Sequence, residues 1–280
     1  MAREIDAFTS PTLKHLRESW WDDEFTEFLH ETLRPRPGNR ILDVGCGEGL
    51  AEVAIGRLHI SQVELFGVDL VLSKVLEARA TTASHNQRVG FAAADACRLP
   101  FANGSFDSLY CVAVLQHIGN VPAALAEFAR VVAPNGRIIA VEPDNSARYL
   151  FSSAAGGQQA FARATTFFAA VTAARAETTD TAIGPRLPGL FTAHGVEPVA
   201  VRVFPVSQVS LGPLPDVEWA ARRRAAESAM AQVASDDVWQ AGAAYLTALV
   251  EYEEEARQAG QAFVEIQNTM LFATVGQRTP

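Results

Sequence analysis

A run of alternating glycines and three acidic residues carry the chemistry legible in this chain. Asp43, Gly45, Gly47 and Gly49 stand at every second position, directly after the apolar run Arg40 to Val44. Glycines let a backbone turn tightly and approach a ligand with no Cβ in the way. The amides at the start of a following helix favour an anionic group. A dinucleotide fingerprint is Gly-x-Gly-x-x-Gly. The spacing here differs, and the acid two residues before the first glycine would repel a pyrophosphate but suit an ammonium group. Asp69 closes a second apolar run, and a carboxylate there can take both hydroxyls of a ribose. Asp95 closes a third, placed for an adenine amino group.

An ammonium, a ribose and an adenine together describe S-adenosylmethionine. Three acids at the carboxyl ends of strands is the arrangement by which open α/β sheets bind ligands. The elements that must position them are short apolar runs alternating with helical periodicity. Strands are expected at Arg40 to Val44, Val63 to Val68, Val89 to Ala94, Ser108 to Val114 and Arg137 to Val141. Helices are expected from Leu50 to about Leu58, Leu72 to Ala83 and Pro122 to Val132. Such alternation predicts a parallel sheet with helices on both faces.

Beyond Glu142 the order breaks. Residues 145–190 are Ala-rich and read as helical, with Gly156-Gly157 as an interruption. A helix turn at Leu187 to Ala193 precedes a strand from Val196 to Val206. Residues 213–260 read as helical, and Phe263 to Val275 as a last strand. Residues 1–38 carry Leu13, Leu16, Trp20, Phe25, Phe28 and Leu29 at helical spacing, ended by Pro35, Pro37 and Gly38. The expected architecture is a doubly wound α/β fold, a mostly parallel seven-stranded Rossmann-like sheet, with a helical cap. Residues 1–38 would be an N-terminal helical cap, and 39–280 the cofactor-binding domain with helical insertions at 145–190 and 213–260. Such a cap would enclose a pocket and exclude water.

Composition narrows the class. In 280 residues, 49% are apolar and 20% charged, so a sizeable core is available. The formal net charge of −9 argues against a nucleic-acid binder or a protein held on anionic lipid. Cys46, Cys97 and Cys111 show neither metal-site spacing nor a disulfide framework, so no metal is expected. Arg3, Glu4 and Asp6 precede any apolar run, and no stretch suits a membrane span. A cytoplasmic protein is the expectation.

The motifs resemble those of class I S-adenosylmethionine-dependent methyltransferases. ILDVGCGEG at 41–49 is similar to the first motif of that class, and FGVDL at 66–70 to the second-strand motif. DACRLPF at 95–101 resembles the adenine-contact motif, and FDSLYCVAVLQH at 106–117 the fourth-strand motif. AEFARVVAPNGRIIAV at 126–141 resembles the helix and strand that follow. Within the class, the chain is similar to the small-molecule methyltransferases of the ubiquinone/menaquinone type (methyltransferase type 11). The likeness covers about residues 38–142. Asn135 stands where the family usually has glycine, in a turn that tolerates Asn in a left-handed conformation. The Arg186-Leu187-Pro188 element and the insertion before the last strand are similar to relatives with an elaborated cap.

The resemblance implies that Asp43, Gly45 and Gly47 hold the methionine moiety, with Cys46 contributing its backbone. It implies that Asp69 and Leu70 meet the ribose and flank the adenine, and that Asp95 and Ala96 meet the adenine edge. Cys111 and Gln116 would lie near the sulfonium, and the last strand would run antiparallel to its neighbours. His117 follows the fourth strand at the pocket rim, as a general base or as a residue that shapes the pocket. Glu142 and Asp144 leave the fifth strand, to steer substrate, serve as base or cap a loop. Arg148 and Tyr149 would meet substrate or lie on a helix surface. Trp20 and Trp21 would close over the cofactor or pack in a core.

Arg222 to Arg224, and Glu251 with Glu253 to Glu255, read as solvated helix faces. The implied reaction is methyl transfer from S-adenosylmethionine to an oxygen, nitrogen or carbon of a small metabolite. The rivals are a protein or RNA methyltransferase, a cofactor-binding protein without catalysis, and a nicotinamide dehydrogenase, which the glycine spacing opposes. The cap's apolar helix faces would serve equally as a lid or as a homodimer surface.

Overall fold

The computed structural model describes residues 20–57, 62–85, 87–175 and 179–280. Leu13, Leu16 and the rest of 1–19 lie outside the described residues, as does Leu58. The chain divides into two compact units. One comprises 17–146, 178–205 and 270–280. The other comprises 1–16, 147–177 and 206–269. Strands β5, β6 and β7, defined below, each contribute residues to both.

The first unit begins with helix α1 (Asp23–Leu33), capped by Asp22, whose carboxylate accepts from the Phe25 N–H at 2.8 Å. Strand β1 (Arg40–Val44) leads through the glycine turn into α2 (Leu50–Arg57), β2 (Glu64–Asp69) and α3 (Leu72–Ser84). Then follow β3 (Val89–Ala93), β4 (Phe106–Val112) and α4 (Val121–Val131). From β1 to α4 these elements match the sequence expectation within two residues, whereas the helical segment expected over 1–38 is helix only from Asp23 to Leu33 among the described residues. The seven-stranded sheet has the order β3-β2-β1-β4-β5-β7-β6. β1 pairs in parallel with β2 and β4, β2 with β3, and β4 with β5. The central strands are covered on both faces, so β1 and β4 read as near-continuous apolar runs. α4 buries Val121, Ala124, Leu125, Phe128 and Val131 in a core with Leu42, Leu109, Ile138, Ala140 and Phe191.

β5 (Val132–Ser152) is far longer than expected and passes through Pro134 and Pro143, so 145–152 is strand, not helix. The last register pair with β4 is Val112↔Val141. Pro143 therefore costs no ladder bond on that side, although it lacks an N–H. β6 (Val196–Leu211) follows the short helix α6 (Leu187–Ala193), and β7 (Val264–Arg278) ends the sheet. Val132 O accepts from the Arg278 guanidinium, and the Ser153 N–H donates to Val264 O at 2.9 Å. The start of β5 thus meets the end of β7. The Thr279 N–H donates to Gly195 O and the Gly212 N–H to Phe263 O. β7 therefore runs antiparallel to both neighbours.

In the second unit, α5 (Ala155–Arg175), α7 (Asp216–Gln232) and α8 (Asp236–Ala259) pack around Phe167, Trp219, Tyr245, Tyr252 and Phe263. Gly156 and Gly157 do not interrupt α5 but open it. A Cβ on Gly157 would stand 2.3 Å from the Ser152 Cβ and 2.9 Å from the Tyr252 ring. Arg222, expected on a solvated face, is instead paired with buried Glu265 at 2.9 and 2.5 Å, and Tyr252 donates to the same carboxylate. Its guanidinium lies 5.0 Å from the Trp219 ring centroid. Arg223 pairs with Glu253, and Glu255 accepts from the Gly156 N–H at 2.7 Å. The reason is helix phase, which turns these charges inward and across helices.

Candidate functional site

The glycine turn has the geometry its residues imply. Gly45, Gly47 and Gly49 adopt φ of +82°, +51° and +81°, which side-chain-bearing residues rarely take. The Gly45 and Cys46 N–H groups both donate to Val68 O, at 2.7 and 3.0 Å, locking the turn to β2. A Cβ on Gly45 would meet Val114 Cγ2 at 2.3 Å, whereas nothing lies within 4 Å of a Cβ placed on Gly47. The turn is thus packed beneath and open above. Asp69 closes it from the next strand. Its Oδ2 accepts from the Gly47 N–H at 3.0 Å and its Oδ1 from the Val71 N–H at 2.8 Å.

Leu70, just after Asp69, is 62% exposed, a large apolar side chain standing at the carboxyl end of β2. Asp95 is exposed after β3. Its Oδ1 accepts from the Cys97 N–H at 2.8 Å, and Ala96 is half-buried beside it. Asp43, Asp69 and Asp95 follow or end adjacent parallel strands at one edge of the sheet, in the order β1, β2, β3.

Asp43 is buried, 4% exposed. Burial raises its carboxyl well above the usual range, and the neighbouring Glu52 carboxyl raises it further, while the Tyr110 hydroxyl acts the other way. Glu52, in the first turn of α2, is fully buried, and burial pushes it up to about 8. Its neighbourhood is crowded, since a Cβ on Gly67 would stand 2.6 Å from its Oε1. Sequence reading missed Glu52 and Tyr110. The available signal was an acid set inside the apolar run LAEVAIG.

Other expected residues take different places. Cys111 is fully buried in the apolar core, and burial holds its thiol protonated. β4 alternation turns Tyr110 and Cys111 to opposite faces of the sheet. Cys46 is buried, and burial raises its thiol too, which leaves its backbone as its contribution. Glu142 takes the loop-capping place among its expected roles. It is fully buried; Oε1 accepts from the Val114 and Leu115 N–H groups at 2.8 and 2.7 Å, and Oε2 from the Gln116 N–H at 3.3 Å. It caps the 3-10 turn Leu115–His117 from across the sheet.

Asp144 is spent on a local turn, accepting from the Ser146 N–H at 2.9 Å and its hydroxyl at 2.5 Å. Gln116 is buried and reaches Asn145 Nδ2 at 3.5 Å. His117 is exposed at the end of the 3-10 turn. Trp20 is buried in the first unit, and Trp21 packs edge-on against Phe25. Arg148 and Tyr149 belong to the second unit and Tyr149 is exposed. Asn135 takes φ +64°, as its turn requires. Among the described residues, no cluster of His, Cys, Asp and Glu could hold a metal ion, and no helix is long and apolar enough to cross a membrane.

Comparison with known proteins agrees with this geometry. Residues 42–140 match a family model described as a methyltransferase domain. An O-methyltransferase of Pyrenophora dematioidea is 38% identical over 108 residues, covering 38% of this chain and 40% of that protein. The 27-O-demethylrifamycin SV methyltransferase of Amycolatopsis mediterranei is 34% identical over 137 residues, covering 45% of this chain and 50% of that protein. The chain spans about half the length of the curated relatives it matches. Among solved structures, the YcgJ protein of Bacillus subtilis shares the fold with a TM-score of 0.54 at 20% identity, over 91% of this chain and 98% of that one. The cyclase SpnF does so at 0.52 and 19%, over 92% and 81%. The glycine turn and the strand-end acids thus lie within residues 42–140, the stretch of this chain that is similar to the methyltransferase domain family.

Proposed function

We propose that this protein transfers the methyl group of S-adenosylmethionine to a small-molecule acceptor. The observation that carries the reading is the Gly45–Gly49 turn, open above Gly47 and tied to the Asp69 carboxylate, with Leu70 exposed beside it. That cradle fits the cofactor. Gly45 and Gly47 admit the methionine backbone without a clash, the acids Asp43 and Asp69 favour its ammonium and ribose hydroxyls, and Leu70 offers an apolar wall to the adenine. Asp95 and Ala96 would meet the adenine edge. When bound, the cofactor supplies an electrophilic methyl on a sulfonium.

The protein's task is then distance, alignment and exclusion of water, since methyl transfer is an in-line displacement. Glu142 serves that task by holding the backbone of 114–116 in place. His117, on the same turn, is the candidate to take a proton from an acceptor hydroxyl. An oxygen acceptor is favoured because four of the curated relatives are named O-methyltransferases. A small acceptor rather than nucleic acid follows from the charge of −9. Three free cysteines suit a reducing cytoplasm, and a homodimer through helical faces fits the same reading.

Calorimetric titration with S-adenosylmethionine and S-adenosylhomocysteine, beside NADH, tests the proposal. Micromolar binding of the adenosyl compounds and none of NADH is expected. Absence of adenosyl binding would refute it.

A further inference from the structure

We infer that Glu52 is a positioning residue for the ammonium end of the cofactor. It shares a proton with Asp43, so that no more than one negative charge stands beneath the glycine turn. The inference deepens the proposed S-adenosylmethionine reading and rests on it.

Asp43 on β1, Glu52 on α2 and Tyr110 on β4 are 4%, 0% and 1% exposed. Asp43 is the register partner of Gly67 on β2 and of Tyr110 on β4, and Glu52 Oε1 would stand 2.6 Å from a Cβ on Gly67, so the two carboxyls and the hydroxyl are neighbours. Neither Oε1 nor Oε2 of Glu52 finds an N–H or O–H donor among the described residues. Two carboxyls can meet in a dry place only when one carries a proton, because both charged would repel and neither would be solvated. The proton they share supplies the donor that Glu52 otherwise lacks.

The other groups facing the pair do not neutralise it. Asp69 on β2 adds negative charge. Cys46 in the turn and Tyr110 are themselves pushed up by burial and stay neutral. Lys74 of α3 is engaged by Glu48 and Glu77 at 2.8 and 2.9 Å. Gly67 leaves room for the Glu52 carboxyl against β2, where any side chain would collide with it.

The pair is a coupled acid, with its charge set by two groups rather than one. At neutral pH it bears at most one charge, because two charges in a dry place would repel. As pH rises past about 8, where Glu52 titrates, the pair gains negative charge and should hold the ammonium more tightly.

Two measurements test this on the full chain. The first is infrared absorption of the ligand-free protein at pH 7, comparing the unaltered protein with Glu52→Gln. A protonated-carboxyl band that weakens in the variant to the share of Glu142 is expected; a band unchanged by the substitution would overturn the inference whether or not the cofactor binds. The second is calorimetric affinity for S-adenosylmethionine and for methylthioadenosine, which lacks the amino-acid part, between pH 7 and 9. The ligand's own amine titrates in this range but is common to both proteins, so their difference is what counts. S-adenosylmethionine affinity should diverge by roughly tenfold in favour of the unaltered protein by pH 9, with methylthioadenosine affinity unchanged. Parallel pH curves would overturn the inference. If S-adenosylmethionine fails to bind at any pH while the band weakens in the variant, the proposed function falls and the shared proton stands.

Discussion

Replacing Glu142 by alanine probes the strut that holds the segment after β4. The carboxyl is fully buried and receives three backbone N–H groups, two of them at 2.8 and 2.7 Å. Alanine would leave these donors buried without acceptors. At about 1–3 kcal/mol each for the two short bonds, the loss is about 4 kcal/mol. That figure applies at pH 5, where the folded protein keeps the carboxyl protonated. Burial pushes Glu142 up to about 7, against the pull of the amides, from an ordinary value of 4.5. A carboxyl that holds its proton more tightly when folded stabilises the native state below its unfolded value. The unaltered protein therefore loses stability as pH climbs from about 4.5 to about 7, by about 3 kcal/mol in all.

The alanine variant has no such group, so the gap between the two should shrink to about 1 kcal/mol by pH 8. Urea unfolding followed by tryptophan fluorescence and circular dichroism at pH 5, 6, 7 and 8 measures the gap, with m constant across the series. A gap absent at pH 5, or one that widens with pH, refutes the reasoning. Glu142→Gln keeps an acceptor and loses the ionisation, so it should match the unaltered protein at pH 5 and exceed its stability at pH 8.

Gly45→Ala places a Cβ 2.3 Å from Val114 Cγ2 at φ +82°; it should cost about 2–4 kcal/mol and lower S-adenosylmethionine affinity at least roughly tenfold, read by thermal melting and calorimetry. Asp69→Ala removes the acceptor for Gly47 and Val71 N–H groups; affinity for both adenosyl compounds should fall more than roughly tenfold, while the far-ultraviolet spectrum stays unchanged. Arg222→Met strands Glu265, whose side chain is 3% exposed, without its cation. Burial alone would raise the Glu265 carboxyl, and Arg222 holds it below the ordinary value. The single change should therefore cost about 3–5 kcal/mol, with stability falling as pH rises, and adding Glu265→Gln should restore most of it in denaturant titration.

The strand–turn–helix register around the site was legible because its signals are local. Arg40–Val44, the turn and the start of α2 fell where apolar runs and glycines placed them, as did the strand-end acids Asp69 and Asp95. β5 was misread because proline normally ends a strand, and only its pairing partners show that Pro143 lies past the last β4 pair. Glu142 could not be distinguished from a base, since its three amide partners lie 26 to 28 residues away in the chain. Arg222 read as solvated because its partner Glu265 is 43 residues distant.

By itself, the sequence determined which backbone conformations are possible at 45, 47 and 49 and which acids follow the strands, since these depend on residue type and nearest neighbours. The tertiary structure alone decided the protonation of the buried acids. Asp43, Glu52 and Glu142 depart from ordinary carboxyl behaviour because folding removes them from water and sets two of them against each other. Desolvation and pairing are properties of a packed interior, contributed by several elements at once, and no single segment of the chain contains them.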